Sequence, residues 1–214
     1  QSGVGLAMGP EGQGQGLWGS EAREDWGAAL ARRWEAAAAQ EAQHKRKAGL
    51  AALSRWMEGP GGLPEALAKQ QKLTKPQLVK VMEWKLRRGK FRPLMRFIRA
   101  LGAEEVERVS SAAFSQLKAE PSAALKDVPL TELKGVGPAT ASAVLAALDP
   151  AWPFMGDEAL RVVMGVPAGR SLKYSAAEYL KFRQRCRAKG KAVGLSAAEV
   201  ERALWASTVL AGAK

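Results

Sequence analysis

Helix start and stop signals follow one another along most of this chain, and no segment alternates apolar and polar residues as a half-buried strand does. Thr74 precedes Pro76 in the pattern of an N-cap and a first helical turn, and Gly89 ends the same predicted helix. The chain is therefore predicted to be all-α. Further helices are predicted from Pro93, from Glu104 to Leu117, from Pro138 to Leu148, from Asp157, and after the capping-box serines Ser175 and Ser196.

The domain organisation follows from length and local composition. The chain has 214 residues, which suits one domain or one domain with a tail. Residues 1–19 are rich in Gly and Gln without an apolar period, and this predicts a disordered arm. Residues 20–214 are predicted to form a single all-helical domain. Within it, the Ala-rich stretch from Ser20 to about Met57 predicts one or two helices, and the segment 58–62 predicts a break.

The charge of the chain indicates a polyanionic partner. There are 33 Lys and Arg against 21 Asp and Glu, a net charge of +12. Nucleic acid is the first candidate partner and an anionic membrane surface the second. A membrane span is excluded because the longest apolar run, Ala143 to Leu148, is too short to cross a bilayer.

The positive charge is concentrated in two stretches. Residues 69–99 contain eleven Lys and Arg and one acidic residue, Glu83, for a net of 11 − 1 = +10. Residues 170–191 form a second basic stretch. Solvated helix faces are the plain interpretation, but two such concentrated stretches favour a phosphate-binding surface. The residues predicted to bind nucleic acid in the first stretch are Lys85, Arg87, Arg88, Lys90 and Arg92.

Cysteine and histidine are too few for several common kinds of site. Cys186 is the single cysteine and His44 the single histidine of the sequence. Internal disulfides, Cys-based zinc sites and His-pair metal sites are therefore excluded, and we expect neither a metal nor a cofactor. Cys186 lies among Arg183, Arg185 and Arg187, which could lower its thiol pKa, but a structural thiol is the favoured interpretation.

The most informative segment runs from Leu133 to Ala141, Leu-Lys-Gly-Val-Gly-Pro-Ala-Thr-Ala. Here a helix is predicted to end, turn tightly through two glycines and restart at Pro138. The turn amides and the new helix N-terminus would then form a site for an anion such as a phosphate. The alternative is a helix connection that binds nothing. The predicted nucleic-acid contacts here are Lys134, Gly135, Val136, Gly137, Ala139 and Thr140.

This segment resembles the helix–hairpin–helix of the DNA glycosylase superfamily, whose members carry Leu-Pro-Gly-Val-Gly before the second helix. Lys134 stands where that proline usually lies. The hairpin motif would occupy about residues 125–148, and the resemblance covers roughly residues 70–165. The segments 84–93 and 200–205 are similar to a little-characterised eukaryotic branch of proteins with this hairpin. The resemblance implies a compact multi-helix domain of the helix–hairpin–helix DNA glycosylase type.

The resemblance also implies roles for residues that follow the hairpin. The segment Trp152-Pro-Phe-Met-Gly-Asp157 matches the segment that presents the catalytic aspartate in the family, with a spacing shifted by about one residue. Asp157 is therefore the candidate catalytic residue, and Trp152 and Phe154 are candidates for the base pocket. Helix capping is the alternative role for Asp157, and core packing is the alternative for the two aromatic residues. Ala139 stands where bifunctional members carry a nucleophilic lysine, so any activity would be monofunctional.

Three functions stay open on the sequence. The first is a DNA-binding protein that contacts the phosphate backbone of double-stranded DNA, as in DNA repair. The second is an active monofunctional DNA glycosylase that uses Asp157. The third is a non-catalytic scaffold that binds RNA or an acidic protein. A cavity with aromatic lining at Asp157 would favour the enzyme.

These candidate functions also predict the oligomeric state and the cellular compartment. We expect a monomer in the nucleus, with mitochondria as the alternative compartment. The first residue is Gln1 instead of Met, which leaves open an upstream targeting segment that was removed or omitted.

Overall fold

The computed structural model describes the backbone of residues 12–213, with side chains from Gly16 onward. This part of the chain is all-helical and contains no strand, so the all-α prediction is confirmed. Short 3₁₀ helices span Lys45–Lys47, Leu125–Asp127 and Pro129–Glu132. The α-helices are α1 (Gly12–Gly19), α2 (Arg23–Ala31), α3 (Arg33–Ala42), α4 (Leu50–Glu58), α5 (Leu63–Gln70), α6 (Lys75–Arg88), α7 (Met95–Ala100), α8 (Ala103–Ala119), α9 (Pro138–Leu148), α10 (Asp157–Met164), α11 (Ala176–Val193) and α12 (Ala197–Gly212).

Several helix ends lie where the sequence places them. Thr74 and Gln77 form a capping box at the start of α6, because each side chain accepts a hydrogen bond from the other residue's backbone N–H. Gly89 follows the last residue of α6. Ser196 and Glu199 form a complete capping box for α12, whereas Ser175 accepts from the Glu178 N–H without the reciprocal bond. These local signals set the helix starts that frame the candidate site.

The N-terminal prediction is wrong for residues 12–19, which form α1 instead of a disordered arm. The Leu17 side chain is buried, and the Trp18 ring meets the Trp26 ring edge to face at 6.3 Å between centroids. These two apolar anchors hold α1 against α12 despite its glycines. The remainder of the predicted arm, residues 1–11, lies outside the described residues.

The Ala-rich stretch after Ser20 forms three α-helices, so the prediction of one or two is wrong. Gly49 separates α3 from α4 and has a left-handed backbone with φ of +82°, a conformation that favours glycine. The Glu41 carboxylate stabilises this break, since it accepts hydrogen bonds from the N–H groups of Gly49 and Ala51 at 2.9 Å each. The predicted break at 58–62 is confirmed, because Gly59–Gly62 is irregular between α4 and α5.

The core is built around α9 and α12. Helix α12 contacts α1, α2, α3, α10 and α11, and α9 contacts α5 and α6. Most of α9 is buried, including Ala141, Val144 and Leu145. Because α9 begins at the hairpin, its buried body fixes the position of the hairpin turn relative to α6 and to the rest of the core.

A membrane-spanning helix and a metal-binding cluster are both absent from the described residues. No helix among residues 12–213 combines the length and the apolar character that a membrane span requires. In the same part of the chain, no three His, Cys, Asp or Glu side chains come together in a way that could hold a metal ion.

Candidate nucleic-acid interface and cavity

The hairpin turn joins the 3₁₀ helix Pro129–Glu132 to α9. Gly135 has φ of +90°, and a Cβ on it would lie 2.8 Å from the Cβ of Phe97 in α7. Gly137 has an extended backbone with φ of −93° and open space on its Cβ side. The turn therefore favours glycine at position 135, whereas the backbone of Gly137 is one that any residue can adopt.

Only part of the predicted hairpin contact set is accessible. The side chains of Val136 and Thr140 are buried, and their N–H groups donate to the carbonyls of Leu133 and Gly137 at 2.9 Å. These two residues are therefore structural. Lys134 is exposed. For the N–H groups of Gly135, Gly137 and Ala139, the hydrogen bonds of the described chain include no acceptor, and amides without an acceptor at a helix N-terminus are suited to an anion.

A cavity of about 250 Å³ lies beside the hairpin. The ends of three helices meet there: the C-terminus of α6 and the N-termini of α9 and α10. The lining residues include Lys85, Gly89, Lys90, Arg92, Gly137, Ala139, Phe154, Asp157, Glu158 and Tyr174. The volume is below the roughly 300–1,000 Å³ of drug-sized ligand sites, so it suits one small ring system.

Asp157 lies in this cavity as the first residue of α10. The N-cap residue is Gly156, and no side chain caps the helix, so the capping role considered for Asp157 is wrong. The phenol of Tyr174 donates a hydrogen bond of 2.8 Å to Asp157 Oδ1. Burial, together with the hydrogen bond to Asp157, raises the pKa of Tyr174, which keeps the phenol a donor. The helix N-terminus favours negative charge at the carboxylate.

Apart from Arg88, the predicted basic residues of the 85–92 segment lie in three environments. Lys85 is partly buried in the cavity wall, where burial lowers its pKa against the opposing effect of Asp157. Lys90 and Arg92 are exposed and also line the cavity. Arg87 is partly exposed and pairs with Glu83 at 3.7 Å. Lys90 and Arg92 are thus placed where a phosphate could reach them.

Arg88 has a structural role, and its predicted nucleic-acid contact is wrong. Its side chain is buried, and its guanidinium forms an ion pair with the buried Glu201 of α12 and lies 3.9 Å from Glu58. The same group lies over the Trp205 ring, 4.2 Å from the centroid. A guanidinium fixed this way inside the protein is not available to DNA phosphates.

The two aromatic residues predicted for the base pocket lie in different environments. Trp152 is buried, stacks on Tyr179 with centroids 6.1 Å apart, and lies under the Arg183 guanidinium at 3.4 Å, so its predicted place in a base pocket is wrong. Phe154 lines the cavity, although its ring also packs against the Trp84 ring, with the two centroids 4.8 Å apart. Tyr174 is the cavity aromatic that the sequence did not reveal, because it lies in an irregular segment before α11 without a motif.

A small part of the second basic stretch is also structural. Arg183 is buried and donates to the carbonyls of Pro121, Ala123 and Ala151, and Arg185 donates to the Val163 carbonyl at 2.8 Å. Cys186 is buried beside them, and burial raises its thiol pKa, so the structural interpretation is confirmed. Most other cations of this stretch are exposed, so accessible positive charge lies there as well as at the hairpin and around the cavity.

A second concavity of about 470 Å³ lies next to the first, and Gly89 lines both. Phe91 lies at the edge of this concavity and is 61% exposed. The Arg46 guanidinium lies 6.0 Å from the centroid of its ring. The other basic lining residues are His44, Lys47, Arg87 and Arg99. An exposed aromatic ring surrounded by cations is a combination suited to nucleobases and phosphates.

Comparison of the chain with protein-family models, with curated proteins and with solved structures finds no match. The all-helical class is shown by the structure itself. The resemblance to the helix–hairpin–helix DNA glycosylases stays a prediction.

Proposed function

We propose that this protein binds double-stranded DNA through the phosphate backbone and hydrolyses the glycosidic bond of a nucleoside that is turned out of the duplex into the cavity at Asp157. The observation that carries the proposal is the carboxylate of Asp157, oriented by Tyr174 in a small cavity whose rim is formed by hairpin amides and basic side chains. The helix–hairpin–helix glycosylase type of fold, predicted from the sequence, agrees with this function.

Phosphate binding is supported by the accessible donors around the cavity. Lys134 and the Gly135 and Gly137 amides lie on the hairpin, and Lys90 and Arg92 lie where α6 has ended. These groups bind phosphates without reading bases, so the proposed binding is largely independent of DNA sequence. Phe91 supplies an exposed aromatic face beside the cavity for a neighbouring base.

The cavity chemistry is proposed for an extruded nucleoside. Enzymes that act on a base within a duplex take that base out of the stack into a pocket with aromatic contacts and polar groups. Phe154 and Tyr174 supply aromatic edges, and Gly89 brings backbone close to the carboxylate, since a Cβ there would lie 4.0 Å from Asp157 Oδ1. A bulkier residue at position 89 would fill space beside the reacting centre.

The proposed reaction breaks the bond between C1′ of the deoxyribose and the base nitrogen. The leaving base takes the bonding electrons, and positive charge develops on the sugar as an oxocarbenium-like transition state. The Asp157 carboxylate stabilises that charge, and water then adds to C1′ and releases a proton to give the abasic sugar. Tyr174 holds the carboxylate in place through its hydrogen bond to Oδ1.

The test is base release from duplexes that each carry uracil, an alkylated base, an oxidised base or a mismatch, followed by alkali to cleave abasic sites. We expect release from at least one duplex, and a loss of about a hundredfold or more in rate for Asp157→Asn with DNA affinity retained. Asp127→Asn is the matched control because Asp127 is an exposed carboxylate at a 3₁₀ helix away from the cavity.

Three outcomes would contradict all or part of the proposal. Base release that persists in Asp157→Asn would remove the carboxylate from the reaction. Tight duplex binding with no release from any substrate would support the non-catalytic alternative, and absence of binding even at low salt would overturn the nucleic-acid function altogether.

A further inference from the structure

The segment that follows α6, residues 89–92, lies between the two concavities and forms a wall that they share. Gly89 lines both of them. The next three side chains alternate, because Lys90 and Arg92 line the smaller cavity, whereas Phe91 lines the larger concavity. Helix α6 has ended before this wall, so successive side chains can point to opposite sides. One short segment therefore presents cations to the first concavity and an aromatic ring to the second.

The larger concavity combines apolar and basic side chains. Its volume of about 470 Å³ lies within the roughly 300–1,000 Å³ of drug-sized ligand sites, so it accommodates a nucleotide. Leu86 and Met95 supply apolar surface beside Phe91. The acidic lining residue, Glu83, is paired with Arg87. The ion pairs of the described chain include none with Arg46, Lys47 or Arg99, which also line the concavity. The charge therefore suits an anionic ligand with an apolar or aromatic part.

Phe91 and Arg46 are spaced to receive a planar ring between them. The Arg46 guanidinium lies over the exposed Phe91 ring, 6.0 Å from its centroid. Groups in direct contact lie about 3.5–4 Å apart, so the guanidinium does not rest on the ring. Arg46 is exposed, and an outward shift of about 1–2 Å would admit one base with contact on both faces. Bases stack on aromatic rings and on guanidinium planes in this way.

We propose that the larger concavity binds a second unpaired nucleotide, the neighbour on the same strand of the nucleotide in the Asp157 cavity, with its base between Phe91 and Arg46. This proposal rests on the proposed function, because the first nucleotide occupies that cavity. It names a substrate class, a duplex with two consecutive unpaired nucleotides. A strand that crosses the wall brings its linking phosphate near Lys90 and Arg92, which line the smaller cavity beside it.

The cost of unpairing determines which DNA should bind best. Taking a nucleotide out of a duplex costs unstacking and unpairing energy, and this cost is least where the nucleotide is already unpaired. In a two-nucleotide bulge both nucleotides are unpaired before the protein binds. The stacking at Phe91 then adds to the affinity without being spent on opening a second base pair.

The first measurement compares the affinity of the full chain for three DNAs with the same flanking sequence. One is a perfect duplex, the second has one bulged thymidine, and the third has two. All bases are normal, so base release is not required. We expect the two-nucleotide bulge to bind roughly tenfold more tightly than the one-nucleotide bulge, which is the gain from one stacked base.

Variants of Phe91 test whether stacking causes this preference. Phe91→Leu keeps an apolar side chain without an aromatic face and should abolish the tenfold difference, whereas Phe91→Trp should retain it. Affinity for the one-nucleotide bulge should change little in either variant. Leu180→Ala is the matched control and should retain the difference, because Leu180 is also a large exposed apolar residue but lies on α11 and lines neither concavity.

Photocrosslinking locates the second nucleotide. The two-nucleotide bulge is prepared with 5-iodouracil at either bulged position and irradiated in complex with the full chain. Peptide mass spectrometry should find an adduct on Phe91 from one of the two positions and not from the other. An acidic peptide rich in Glu and Leu, titrated in parallel, tests a protein partner for the same surface.

The outcomes separate this proposal from the proposed function. A two-nucleotide preference that Phe91→Leu abolishes, without base release from any lesion duplex, supports the second nucleotide site and contradicts the glycosidic step. Equal affinities for the two bulges, a preference that persists in Phe91→Leu, or adducts that exclude Phe91 overturn the second site whether or not bases are released. Tight peptide binding that requires Phe91, together with equal affinities for the bulges, overturns it in favour of an acidic protein partner. Absence of DNA binding overturns both proposals.

Discussion

The Tyr174 hydroxyl donates a hydrogen bond of 2.8 Å to Oδ1 of Asp157, and this bond joins the irregular segment before α11 to the first residue of α10. The two residues are 17 positions apart, and the bond is partly buried. A carboxylate at a helix start is free to adopt several rotamers, whereas this contact selects the one that faces the cavity. Tyr174 is thus a positioning residue for the proposed chemistry.

Tyr174→Phe tests this positioning role. Hydrogen bonds to charged groups contribute about 1.5–3 kcal/mol, so the substitution should lower the rate of base release by roughly 10–100-fold. Single-turnover rates at saturating protein measure the effect. Tyr179→Phe is the control, because Tyr179 donates to the Pro153 carbonyl in the core, and it should lower the unfolding temperature while the rate changes little. An unchanged rate in Tyr174→Phe would show that Asp157 needs no such support.

Arg88 is expected to stabilise the fold and not to bind DNA. Removing it leaves the buried Glu201 without its partner, whereas Glu58 keeps Arg202 at 3.2 Å, and breaking a buried pair in this way costs about 3–5 kcal/mol. Arg88→Ala should therefore lower the urea midpoint strongly, whereas Arg87→Ala, at a partly exposed surface pair, should change it little. If Arg88→Ala unfolds like the wild type and loses DNA affinity, the structural assignment is wrong.

Glu201 predicts a pH dependence of stability. Burial raises its pKa from 4.5 to about 7, against the opposing effect of Arg88. Between these two values the folded state binds more protons than the unfolded state, so stability falls as pH rises from about 4.5 to 7 and then levels off. The full difference is of the order of 3 kcal/mol. Urea titrations across this pH range should show that Glu201→Gln has a flatter profile than the wild type. Profiles of equal slope would mean that Glu201 does not titrate there.

The two hairpin glycines should behave differently. Gly135→Ala forces an unfavourable left-handed backbone and brings the new Cβ within 2.8 Å of Phe97, so it should cost roughly 1–3 kcal/mol of stability. Gly137→Ala has open space and an extended backbone, so the fold should be unchanged. Its methyl group would instead occupy the open space at the hairpin amides and should weaken duplex binding. Equal effects of both substitutions on thermal unfolding would contradict this distinction.

Local sequence signals predict the helix starts and the hairpin turn, because capping and positive φ are properties of a few adjacent residues. Whether a cationic side chain is accessible or buried depends on residues that are distant in the sequence. The sequence does not show that Lys85 and Arg88 have different environments. Arg88 is nevertheless buried and forms an ion pair with Glu201, which lies 113 positions away. Helix α1 was missed because Leu17 and Trp18 are too few to form a periodic pattern but suffice once Trp26 is beside them. Tyr174 was missed because an irregular segment carries no periodicity.

The salt dependence of DNA binding provides the last test, and the structure lowers the expected slope. Eight phosphate contacts are expected if both basic stretches bind DNA, giving a slope of log K against log salt of roughly −7. Arg88 and Arg183 are engaged inside the protein. Counting the accessible cations near the hairpin and cavity as about six contacts gives a slope of roughly −5. Titrations of a random duplex at several salt concentrations measure this slope.

Lys134→Ala should make the slope shallower by about 0.9. Lys118→Ala is the control, because Lys118 is exposed at the far end of α8, and it should leave the slope unchanged. A slope near −7, or equal slopes for Lys134→Ala and the wild type, would place the DNA on a surface other than the hairpin.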